Sequence, residues 1–172
     1  LEPLVPIHSG SAQLQCSSTP RQRKTAMENA ALFGKWESYK SDNLDVFFEK
    51  LGMGWLQQKI GPKLTSTLLL EKLSDSELKL SVSSLGFHDE TIFKVDGIVQ
   101  WSGGAKEMHD ALTKWEDGKL VIYTGPLNSA SADDVKANSK VKIVREITGD
   151  GELLMTIIHP EVTATRHYKK KN

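Results

Sequence analysis

Cysteine occurs once, at Cys16, so no disulfide can form within this 172-residue chain and a folded core must hold by packing alone. A reducing compartment suits such a chain. An excess of one charge is also missing: 22 Lys and Arg balance 22 Asp and Glu, with a pI near 7.1. That balance argues against nucleic acid as a partner, because phosphate backbones reward clustered Lys and Arg. Long apolar runs are absent. The longest, around Leu68–Leu70 and Ile157–Ile158, are strand-sized, whereas a membrane-spanning helix needs about 20 apolar residues. No Gly-x-Ser-x-Gly elbow, phosphate-binding loop or paired metal-ligand spacing occurs, which leaves catalysis without a recognisable motif. His88, His109, His159 and His167 lie scattered among acids. Strand alternation puts His167 opposite Arg166 and Tyr168. The chain therefore reads as a binding protein rather than an enzyme.

What is present divides unevenly. Residues 1–26 are rich in Ser, Pro, Gln and Thr and end in Arg21-Gln-Arg23-Lys24. They lack the apolar stretch of a secretory signal and are expected to form a disordered leader or appended tail. Residues 27–172 are long enough for one domain with a sizeable core.

Leu32–Tyr39 alternates as a first strand with Trp36 inward. Ser41-Asp-Asn43 offers helix N-cap side chains. Leu44, Phe47, Phe48 and Leu51 follow at helical spacing, and Gly52 closes that helix. A second short helix fits Gly54–Ile60 before Gly61-Pro62. From Leu64 the pattern becomes short strands: 65–71, 77–84, 90–95, 98–101, 106–114, 119–124, 140–148, 152–159 and 162–168. Turn residues such as Asp96-Gly97 and Asp117-Gly118 separate them, a strong hairpin signal. Ten closely spaced strands predict an all-β antiparallel meander, barrel or sandwich, with the helix pair between strands one and two as its only helical element. Residues 125–139 are expected to form a mobile polar loop, with a single helical turn as the alternative.

Side chains alternate along strands. Val162, Ala164, Arg166 and Tyr168 therefore share one face, and Val141, Ile143 and Arg145 another. Two strands each place an Arg among small or β-branched residues. If both point inward, the enclosure holds excess positive charge and needs an anion. A solvated surface strand is the alternative for Arg166, and pairing with Glu146 or Glu152 the alternative for Arg145. Leu44, Phe47, Met53, Phe87, Ile122, Met155 and Ile157 are candidates to line a cavity or its entrance, and each is equally explained as ordinary core.

Phe33-Gly-Lys-Trp36, Ser41-Asp-Asn43, Leu51-Gly-Met-Gly54 and Lys59 resemble the N-terminal signature of the intracellular lipid-binding proteins, the fatty-acid and retinoid carriers of the calycin superfamily. Phe93-Lys-Val-Asp96, Trp115–Leu120, Val144-Arg-Glu146 and Ala164–Lys169 are similar to that family's later strands. The resemblance runs over about residues 30 to 172, interrupted only at 125–139. It implies a flattened ten-stranded up-and-down barrel with a helix-turn-helix lid. It also implies a carboxylate held by Arg145, Arg166 and Tyr168, and a long-chain fatty acid or similar hydrophobic carboxylate as ligand, with a retinoid or another hydrophobic molecule as alternative. No cofactor or metal, at most transient membrane contact, a monomer, and a cytoplasmic location with nuclear access follow from the same resemblance. The chain departs from the pattern at Gln58 and Glu107, where basic residues are common, and at Gly86, where a portal phenylalanine is displaced to Phe87. An interaction protein acting through residues 125–139 is the remaining alternative.

Overall fold

The computed structural model describes residues 29–103 and 107–172, and for residues 55 and 56 the backbone alone. The leader expected at 1–26 lies outside the described residues, as does the first residue of the strand expected at 106–114. Ten strands form one antiparallel sheet: β1 (Gly34–Asp42), β2 (Thr67–Lys72), β3 (Glu77–Ser84), β4 (Phe87–Lys94), β5 (Ile98–Trp101), β6 (His109–Glu116), β7 (Lys119–Gly125), β8 (Val141–Ile147), β9 (Leu153–His159) and β10 (Val162–Lys170). The sheet order is β4-β3-β2-β1-β10-β9-β8-β7-β6-β5, so neighbours in sequence are neighbours in space except where β1 meets β10. That pairing, Trp36 opposite Lys170 through Asp42 opposite Thr165, curls the meander towards closure.

The two edge strands, β4 and β5, face each other across the remaining gap. An isolated backbone bridge links Val95, just after β4, to Thr113 on β6. The Phe93 and Trp101 rings stack edge-to-face at 5.3 Å, and Trp101 Nε1 donates to Asp89 Oδ2 at 2.9 Å. Covering the edges in this way removes the free strand that would otherwise template association. The predicted Asp117-Gly118 hairpin is present: both residues have positive φ, 50° and 77°, as a two-residue primed turn demands.

The lid follows β1. Helix α1 (Leu44–Lys50) buries Leu44 and Phe47, and α2 (Trp55–Ile60) runs into a 3₁₀ turn at Gly61–Lys63. Asn43 occupies the α1 N-cap in the left-handed region and makes no capping bond. Its amide instead donates to Thr163 O at 3.1 Å and pins the lid to β10. Leu51, expected on the buried face, is exposed, because α1 ends at Lys50 and Gly52 (φ 66°) turns the chain away. Gln58, the departure from the basic pattern, donates to Met53 O at 2.7 Å and ties the interhelical turn.

Residues 125–139 depart most from expectation. They are not an unstructured loop. A third helix, α3 (Ala132–Ala137), is capped by Ser131, whose side chain accepts from Asp134 N at 3.2 Å. Val135 is fully buried against Leu112, Val121 and Tyr123 on the outer barrel face. Gly125 makes the close approach possible: a Cβ there would lie 3.0 Å from the Val135 backbone. A six-residue helix is marginal alone, and this one holds because one apolar side chain and one glycine seat it on the sheet.

Candidate functional site

Inward parity follows the sequence. On β10, Ala164, Arg166 and Tyr168 are buried while Thr163 is exposed. On β8, Ile143 and Arg145 are buried. Strand register then aligns what alternation cannot. One rung runs Trp115–Leu120–Arg145–Met155–Arg166–Ser41 across β6, β7, β8, β9, β10 and β1. Met155 thus stands between the two arginines, whose Cα atoms are two strand spacings apart, about 10 Å. The next rung, Thr113–Ile122–Ile143–Ile157–Ala164, is almost wholly apolar. It places the predicted Ile122 and Ile157 beside Arg145 on the lid side. Tyr168 lies one rung further from the lid, opposite Leu153.

Arg145 has an unusual environment. It is 2% exposed, and its Nε and Nη1 have no hydrogen-bond partner in the protein. Thr113 Oγ1, on the neighbouring rung, is likewise buried and unpartnered. Neither alternative partner holds Arg145: Glu146 pairs with Lys119 on the outer face, and Glu152 accepts from Tyr39. Burial lowers the guanidinium pKa to about 10, against a smaller opposing effect of Tyr168. A buried cation with open donors is costly unless an anion or ordered water completes it.

Arg166 differs. Its Nε donates to Ser41 Oγ at 2.9 Å, and its Nη2 donates to the carbonyls of Gly61 (3.2 Å) and Leu64 (2.8 Å). The alternative of a solvated surface strand is not what the structure shows. Arg166 is buried and engaged with the end of the lid. Ser41 and these two carbonyls were not anticipated from sequence, since they come from chain segments more than 100 residues away. Thr113 was also missed, although its parity with Ala111 and Trp115 would have placed it inward.

The remaining candidates spread around the barrel. Leu44 and Phe47 belong to the core beneath the lid. Met53 is half-buried in the interhelical turn. Phe87 is exposed, at the β3–β4 turn beside the more exposed Leu85. Among the described residues no helix is long and apolar enough to cross a membrane.

The nearly closed ten-stranded meander, with its helix pair between the first two strands, matches the fold of solved lipid-binding proteins. The fatty acid-binding protein of Schistosoma mansoni, solved in complex with arachidonic acid, superposes with a TM-score of 0.70 at 22% identity, covering 85% of this chain and 100% of that one. No family model matches. The chain is 28% identical over 149 residues to fatty acid-binding protein type 3 of Fasciola hepatica, covering 82% of this chain and 98% of that protein. It is 24% identical over 139 residues to cellular retinoic acid-binding protein 2 of Mus musculus, covering 80% and 96%. Over most of its length the chain is thus similar to fatty acid-binding and retinoic acid-binding proteins. A stretch of 105 residues is also 33% identical to the light-independent protochlorophyllide reductase iron-sulfur ATP-binding protein of Methylorubrum populi, but the chain spans only 35% of that protein's length. With one cysteine and no phosphate-binding loop, it shares no motif for that chemistry.

Proposed function

We propose that this protein binds and carries a long-chain fatty acid or a similar hydrophobic carboxylate, non-covalently and without catalysis. The observation that carries the reading is Arg145: a buried guanidinium between Leu120 and Met155, with Nε and Nη1 open. A carboxylate supplies two acceptors in the plane that a guanidinium presents. Arg145 is the primary anchor in this reading. Tyr168 supplies a phenolic donor one rung away. Arg166 completes the set with whatever donor capacity its lid contacts leave free. Burying the hydrocarbon tail drives binding, at about 25 cal/mol per Å², and the head-group contacts select an anion. The Schistosoma and mouse proteins are both named for binding carboxylic acids, which supports the anionic class over a neutral retinol. We place the carrier in the cytoplasm as a monomer.

The test is mass spectrometry of ligands extracted from the purified protein, run beside displacement of a fluorescent fatty acid. Co-purified or competing long-chain acids support the carrier. Failure of acids and retinoids alike to bind overturns it.

A further inference from the structure

We propose that the groove between α3 and the β9–β10 turn is a docking site for an acidic peptide segment of a partner protein. This site lies outside the barrel and does not depend on the ligand reading above. It is lined by Tyr123, by Lys136, Lys140 and Lys142, and by Ile158 and Pro160, around a volume of about 420 Å³.

Two ammonium groups meet a single carboxylate here. Lys136 reaches Glu116 Oε1 at 3.1 Å and Lys142 reaches Oε2 at 3.6 Å. The same carboxylate accepts from Tyr123 Oη at 2.9 Å. Lys140 adds a third cation. The described residues lining the groove include three lysines and no Asp or Glu. Lys136 and Lys142 are also preordered, with their Nζ atoms 5.0 and 5.1 Å from the Tyr123 ring centroid, a cation–π arrangement that limits side-chain freedom. Less ordering entropy is then lost when an acidic group arrives.

Ile158 gives the partner an apolar seat. It is 41% exposed on the outer face of β9, next to Pro160. The small apolar content of the site separates a peptide from a membrane as the occupant: Ile158 is the one exposed large aliphatic residue in its lining, whereas a bilayer takes up broad apolar faces. The groove exists because residues 125–139 fold into α3. Tyr123 and Lys142 point outward while Ile122 and Ile143 point into the barrel, so the two sites are separated by the sheet.

The test uses the full chain and a fluorescein-labelled peptide of Asp and Glu residues carrying one Leu, followed by fluorescence anisotropy. The control peptide replaces every Asp and Glu by Asn and Gln. The proposal expects saturable binding of the acidic peptide alone. Affinity should fall by about tenfold or more between about 20 and 200 mM salt, as exposed charges are screened. Lys140→Glu/Lys142→Glu should weaken it by about tenfold or more, and Lys140→Ala, a milder change, by a smaller factor. Displacement of the interior fatty-acid probe should be unchanged in both variants. Equal binding of the two peptides, or unchanged affinity in both variants, overturns the proposal. So does no peptide binding together with Lys140/Lys142-dependent sedimentation on phosphatidylserine vesicles, which would assign the groove to a membrane.

Discussion

The Arg166 guanidinium donates to the carbonyl of Leu64 at 2.8 Å, joining the last strand of the barrel to the point where the lid returns to the sheet. With the bonds to Gly61 O and Ser41 Oγ, one side chain on β10 holds the end of β1 and the exit from α2. Arg166→Ala should therefore act twice. It removes three charge-assisted contacts, with an expected loss of about 2–3 kcal/mol in urea unfolding. It should also speed hydrogen exchange of lid amides. Carboxylate ligands should lose more affinity than their methyl esters; equal loss for both would show that Arg166 serves the lid alone.

Arg145 predicts the opposite balance. Its Nε and Nη1 are buried without partners, so the empty protein carries the desolvation cost of about 1–3 kcal/mol for unmade bonds. Arg145→Met keeps much of the volume and removes the charge. The empty variant should be as stable as the parent or more so, while affinity for long-chain acids falls by about tenfold or more. Equilibrium unfolding and probe displacement on the same samples measure both. Marked destabilisation with intact acid binding would contradict the assignment.

The pH dependence follows from the same residue. Burial holds the Arg145 pKa at about 10, below the ordinary value for arginine. Between there and the ordinary value the unfolded chain binds more protons, so this group favours the folded state increasingly as pH rises through about 10. At neutral pH it is charged in both states and its burial cost is fully present. A bound carboxylate favours the charged form and returns the pKa upward. The acid-to-ester affinity ratio should thus be flat from about pH 7 to 9 and decline above about 10, read by displacement across that range.

Gly125→Ala tests α3. The added methyl would meet the Val135 backbone at 3.0 Å and lift the helix from the sheet. Loss of up to a few kcal/mol is expected, as for other overpacked sites, with interior ligand affinity unchanged. Val135→Ala should cost about 1–2 kcal/mol through lost burial. Thermal unfolding reports both. A variant that matched the parent would mean that α3 is not docked.

Most of the barrel was legible because alternation and turn chemistry act locally. Glu77–Ser84 and Ile98–Trp101 form strands at the predicted limits, and Arg145, Arg166 and Tyr168 face inward as their strand neighbours implied. What was not legible depends on pairing between distant segments. Register alone sets Met155 between the two arginines. The lid carbonyls that occupy Arg166 lie over 100 residues away. Helix α3 has too few residues to declare itself by periodicity, and its stability rests on Gly125 and Val135 meeting across the chain. Asn43 looked like an ordinary cap and became a cross-link to Thr163 instead.

The central claim is that a carboxylate completes Arg145. The most direct measurement is the affinity ratio between a long-chain fatty acid and its methyl ester, determined by probe displacement for the parent and for Arg145→Met. The account predicts that the parent favours the acid by about tenfold or more and that the variant brings the ratio close to one, with ester affinity little changed. An unchanged ratio in the variant would contradict it and move the anion site away from Arg145.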